Sequence, residues 1–147
     1  MKARHKSDSL EQRSAEPRML KILNSKRGLS LHRKQLLLNC GARVELDGFD
    51  EKERIVCEVY AHIGPLKPGQ VHKVASDILK MLLVERDQGG DGWHKVYCFA
   101  DKAAAQQLSG DSWLARAAKR FGVEVEVVQP PKQTRASVKK AQRRQTR

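Results

Sequence analysis

Apolar residues fall in short blocks along the chain, and the spacing inside each block predicts its element. Residues 18–27, RMLKILNSKR, place Met19, Leu20, Ile22 and Leu23 on one side of a short helix that Gly28 ends. Ser30 then reads as the cap of a second helix, LHRKQLLLNC, with Leu31, Leu36, Leu37, Leu38 and Cys40 as its apolar side. Alternation changes to period two in RVELDGF (43–49) and in RIVCEVYAHI (54–63), which predicts two strands with a turn between them. GPLKPG breaks the second strand, and Val71, Val74, Ile78 and Leu82 form the stripe of a helix over 70–84. HKVYCFA (94–100) reads as a buried strand. An Ala-rich helix over 101–120, broken near Gly110, and a last strand over 123–128 follow.

The predicted order is αββαβαβ, an α/β domain with a central mixed β-sheet flanked by helices. The spans are a basic N-terminal arm with a short helix (1–28), the α/β domain (29–129) and a basic C-terminal tail (130–147). The arm is expected to be mobile up to Pro17.

Charge divides the chain in the same way. Residues 1–43 carry eleven Lys and Arg against three acids, residues 44–129 eleven against fourteen, and residues 130–147 seven against none. Two basic ends around an ordinary middle predict a polyanion partner, since each phosphate contact releases counterions. Lys67, Lys80, Arg135, Lys139, Lys140, Arg143 and Arg144 are the expected nucleic-acid-binding side chains. No run of about 20 apolar residues suggests a membrane span, and residues 1–13 lack the apolar stretch of a secretory signal. A cytoplasmic protein is expected. Cys40, Cys57 and Cys98 fit no zinc spacing and read as buried free thiols. The five histidines show no HExxH or HxH arrangement. Trp93 suits either the core or an exposed stacking role.

One constellation carries candidate chemistry. Residues two apart on a strand share a face, so Glu45 and Asp47 go together, as do Glu58, Tyr60 and His62. Glu58 interrupts the apolar run Ile55-Val56-Cys57 and Val59. A carboxylate there needs a cation, either a hard metal ion or a Lys or Arg of a packed helix. His62, at the strand end, is expected to be exposed. On the next helix Gln70, Lys73, Asp77 and Lys80 form one polar stripe, which is either solvated or turned towards the acids.

The pair Leu46-Asp47-Gly48 and Glu58-Val59-Tyr60, with the stretch EVYAHIGPLKPGQVHKVASDILKML, resembles the PD-(D/E)XK, or restriction-endonuclease-like, nuclease superfamily over residues 30–129. The resemblance implies Mg²⁺ (or Mn²⁺) held by Asp47 and Glu58, with Glu45 assisting, and hydrolysis of phosphodiester bonds, in DNA for preference. Tyr60 stands where the superfamily has Lys. Lys73, or else Lys67, is then the replacement, Gln70 orients water or phosphate, and Gln35 is the first-helix helper. A homodimer is one possible arrangement, and the sequence leaves open whether two chains must associate to cut two strands. The alternatives are a non-catalytic nucleic-acid-binding protein on a degenerate nuclease fold and a basic structural component of an RNA-containing particle.

Overall fold

The computed structural model describes residues 9–145. Helix α1 spans Leu10–Arg27, followed by strands β1 (His32–Leu37), β2 (Arg43–Asp50) and β3 (Ile55–Tyr60). Helix α2 (Pro68–Asp87), strand β4 (His94–Phe99), helices α3 (Lys102–Ser109) and α4 (Trp113–Arg120), strand β5 (Val123–Val127) and helix α5 (Lys132–Gln145) complete the chain. The α/β class and the mixed sheet are as expected. The order αβββαβααβα is not, because one predicted helix is a strand, the short helix expected over 18–27 begins already at Leu10, and the basic tail is a packed helix.

The five strands lie in sequence order, β1-β2-β3-β4-β5. β1, β2 and β3 pair antiparallel, whereas β3, β4 and β5 pair parallel. Helices α2, α3 and α4 cover one face, over Leu46, Phe49, Val56, Tyr60, Met81, Tyr97 and Phe99. Helices α1 and α5 cover the other, over Leu23, Cys57, Val59, Val96, Cys98 and Val138. β3 is buried at every residue, so anything polar on it sits in the core. No helix among the described residues is long and apolar enough to cross a membrane.

Three expectations are corrected. The stretch LHRKQLLLNC is not a helix: Leu37 is exposed while Leu38 is buried. His32–Leu37 is instead an edge strand, exposed along most of its length, and pairing with β2 supplies what local propensity does not. Its cations, Arg33 and Lys34, also suit an edge strand, where charge discourages further pairing.

Pro17 does not end an arm. Ser9 and Gln12 form a capping box, each accepting the other's backbone N–H at 3.0 Å. Ala15, Met19 and Leu23 are fully buried at helical spacing, and their burial outweighs the donor lost at Pro17. The part of the arm at residues 1–8 lies outside the described residues.

The basic tail is helix α5, seated through buried Val138 and Ala141. Its Gln142 pairs like a strand with Ile63, accepting the N–H and donating to the carbonyl, each at 2.8 Å. Cys57 and Cys98 are buried free thiols, and burial pushes the Cys98 thiol up to about 12. Cys40, expected inside, is exposed in the β1–β2 turn.

Candidate active site

The site forms where β2 leaves β3. Along β1 the pairing slips by one residue between His32↔Phe49 and Lys34↔Leu46. Asp47 and Gly48 therefore stand together against Arg33, as in a β-bulge, which turns a strand and re-aims side chains. Between β2 and β3 the ladder runs from Asp50↔Ile55 to Gly48↔Cys57 and stops. At the next position the Val59 N–H donates to Asp47 Oδ2 at 2.9 Å, so a carboxylate replaces the strand partner. Gly48 suits the close packing there, because a Cβ would stand 2.9 Å from Cδ1 of Leu20 and 3.1 Å from the Cβ of Cys57.

Asp47 lines a cleft of about 490 Å³ under α1, with Arg13, Ser14, Glu16, Pro17 and Arg33. Glu58 is fully buried and faces the other way, towards α2, with Oε1 held against the Lys80 ammonium. The shared strand face expected for the two acids is not what brings them together: Asp47 lines the cleft under α1 and Glu58 meets Lys80 of α2. The acids meet through the gap that the bulge opens, within hydrogen-bonding reach of one another. Neither oxygen of Glu58 accepts a regular hydrogen bond. Burial, then the negative charges of Asp47 and Asp77, push the Glu58 carboxyl well above the usual range, and Lys80 opposes them. Two carboxyl groups so placed need a proton or a cation between them.

Helix α2 lays a charged stripe over this pair. Lys73, Asp77 and Lys80 recur at helical spacing and turn inward, not to solvent. Lys73 Nζ lies 3.1 Å from Asp77 Oδ2 and 4.8 Å from the centre of the Tyr60 ring. Lys80 Nζ lies 3.8 Å from Asp77 Oδ1. The Tyr97 hydroxyl donates to Asp77 Oδ2 at 2.6 Å, and burial holds it protonated. Tyr97 stands beside Glu58 in the parallel register of β3 and β4. The result is a ring of alternating charge around a buried carboxylate, open to solvent on the Asp47 side.

The other expected site residues sort clearly. Lys80, assigned to phosphate contact, belongs to the buried network. Gln70 is occupied as a cap: its Oε1 accepts the Lys67 N–H at 2.7 Å. Lys67 itself is exposed. Glu45 is held by Arg33, itself a cleft-lining residue, and Gln35 is exposed on β1 across from Glu45. His62 is buried, not exposed, its Nδ1 3.5 Å from Gln12 Nε2, and desolvation lowers its pKa. Trp93 is core, stacked on Phe49 at 5.5 Å with the Arg54 guanidinium over it. Arg135 pairs with Asp101 at 3.6 Å and Arg144 with Glu11 at 2.6 Å, while Lys139, Lys140 and Arg143 stand on the exposed side of α5.

Two participants were missed. Glu16 reaches the end of β3, where its Oε2 accepts the Ala61 N–H at 3.4 Å, and it lines the cleft with Asp47. Its position on the same stripe as Gln12, Met19 and Leu23 was the available signal. Tyr97 shares one face of β4 with Lys95 and Phe99, which the sequence shows, but only the β3–β4 pairing sets it beside Glu58. Among the described residues, no group of three or more His, Cys, Asp or Glu side chains is arranged around a common point that would hold a metal ion. No protein-family model, no curated protein and no solved structure matches the chain.

Proposed function

We propose that this chain is a metal-dependent nuclease of restriction-endonuclease-like build, hydrolysing phosphodiester bonds in nucleic acid, DNA for preference. The observation that carries the reading is the meeting of Asp47 and Glu58 at the opened strand pair, within hydrogen-bonding reach of one another. Two carboxylates completed by water suit Mg²⁺ or Mn²⁺, which take oxygen ligands and keep several waters. Bound there, the ion would polarise a phosphoryl oxygen and acidify a water.

The chain's own residues do the rest. Asp47, at the cleft wall, faces an entering phosphate, and Arg13 and Arg33 on the same wall attract it. Lys73, within the buried stripe, supplies positive charge in the place that Tyr60 leaves without it. Lys139, Lys140 and Arg143 on α5 add contacts that hold the backbone without reading sequence.

A second reading has its own support. Lys80 already neutralises Glu58, and Lys73 is paired with Asp77. A network closed on itself is what a nuclease fold retained for binding alone would keep. Nicking of supercoiled plasmid separates the two. The enzyme reading predicts nicking with Mg²⁺ or Mn²⁺, abolished by Glu58→Gln and reduced about 10²-fold or more by Lys73→Ala. Wild-type protein that binds plasmid and never nicks it overturns that reading in favour of the binder.

A further inference from the structure

The most exposed large apolar side chain among the described residues is Trp113, at 76 % exposure, the first residue of α4. Phe121, which caps the same helix, is 51 % exposed. Indole is rarely left in water without a use, because its burial is worth more than that of most side chains. Helical spacing sets what lies around it. Leu114, Ala115 and Ala118 face the core. Trp113, Arg116 and Arg120, at i, i+3 and i+7, occupy the opposite side, with Phe121 flanking them about 12 Å along the axis from Trp113. Segment 112–123 carries Arg116, Lys119 and Arg120 and no acid. The neighbouring Asp111 only partly offsets this, lying 3.8 Å from Arg116 with its own side chain almost wholly in solvent.

We propose that the outer face of α4 is a second nucleic-acid contact, taking an unpaired strand: Trp113 stacks on a base, and Arg116 and Arg120 meet the flanking phosphates. Flat aromatic surface beside cations is the chemistry that single strands offer a match for, since each base has a π-face and each linkage a negative charge. A duplex presents the charge but hides the faces. The inference rests on the nucleic-acid reading above and adds the strand state of the ligand. The α4 face is formed by residues that take no part in the carboxylate network.

The test is titration of the full chain with a dodecamer of thymidylate at low salt, followed by fluorescence of the indoles and by anisotropy of a labelled strand. The other indole, Trp93, is buried against Phe49, so quenching reports mainly Trp113. Expected are quenching of the emission and binding weakened about tenfold in Trp113→Ala, as loss of one stacked base requires. Trp113→Phe should recover part of the loss, and duplex of equal length should quench less. Anisotropy showing the strand bound equally by wild type and Trp113→Ala overturns this inference and leaves the nuclease reading standing. Absence of binding to strand and duplex alike removes both. Emission that responds to anionic phospholipid vesicles and not to the strand also overturns it, by assigning the face to a membrane surface.

Discussion

Lys80 on α2 holds its ammonium against Oε1 of Glu58, and Glu58 lies at the middle of the most deeply buried strand. The pair is unequal. Lys80 keeps 18 % of its side chain in solvent and also lies near Asp77, whereas Glu58 keeps none and has the Asp47 carboxyl beside it. Charge removed from one partner is therefore not equivalent to charge removed from the other.

Lys80→Met should be costly. It leaves the carboxylate buried among acids without its cation, a loss of about 3 kcal/mol at pH 8. The loss should shrink as the pH falls, because burial and the neighbouring acids favour uptake of a proton by Glu58. Urea unfolding of wild type and variant at pH 8 and at acid pH measures this. An equal loss at both would show that Lys80 acts through packing alone.

Glu58→Gln should behave in the opposite sense. Burial and two neighbouring acids raise the folded-state pKa above that of the unfolded chain. The contribution of Glu58 to stability is then fully present below the ordinary carboxylate pKa of about 4. It is lost as pH rises through the raised folded value. A glutamine cannot ionise, so the variant should gain on wild type steadily as pH rises, with the difference level at the acid end. Thermal melts from pH 4 to pH 8 follow it, and a constant difference would mean that Glu58 titrates normally.

Much of this relationship was legible before the structure. A glutamate inside IVCEVY has to be buried, and a polar stripe at helical spacing was visible at Lys73, Asp77 and Lys80. What local pattern does not carry is how strands separate. The slip at Asp47-Gly48 depends on pairing with β1, and β1 itself reads as a helix because Ser30 resembles a cap and Leu31, Leu36, Leu37, Leu38 and Cys40 one apolar side. Three apolar residues in a row suit a helix face as well as an edge strand, and only the partner strand decides. The ends mislead for a related reason: charge on the solvent side masks the narrow stripes that seat the first turns of α1 and the whole of α5.

Gly48→Ala should destabilise the protein by about 1–3 kcal/mol, because the added methyl is driven into Leu20 and Cys57 on two different elements. It should also disturb Asp47, its neighbour in the bulge. A melting temperature unchanged from wild type would show that the bulge has room.

Gln142→Ala should cost about 2 kcal/mol, from two lost hydrogen bonds to the Ile63 backbone. Amide exchange in α5 should speed up while β3 and β4 stay protected. Deleting residues 130–147 should cost more, since Val138 and Ala141 are core. A helix that leaves melting and exchange unaffected when removed would be an appendage, contrary to its packing here.

If Asp47 and Glu58 are the two ligands of one divalent ion, as proposed, calorimetric titration of the full chain with Mn²⁺ should show one ion bound per chain. Binding should be lost in Asp47→Asn and in Glu58→Gln and retained in Glu45→Gln. No binding by wild type, or binding that survives both substitutions, would contradict the proposal.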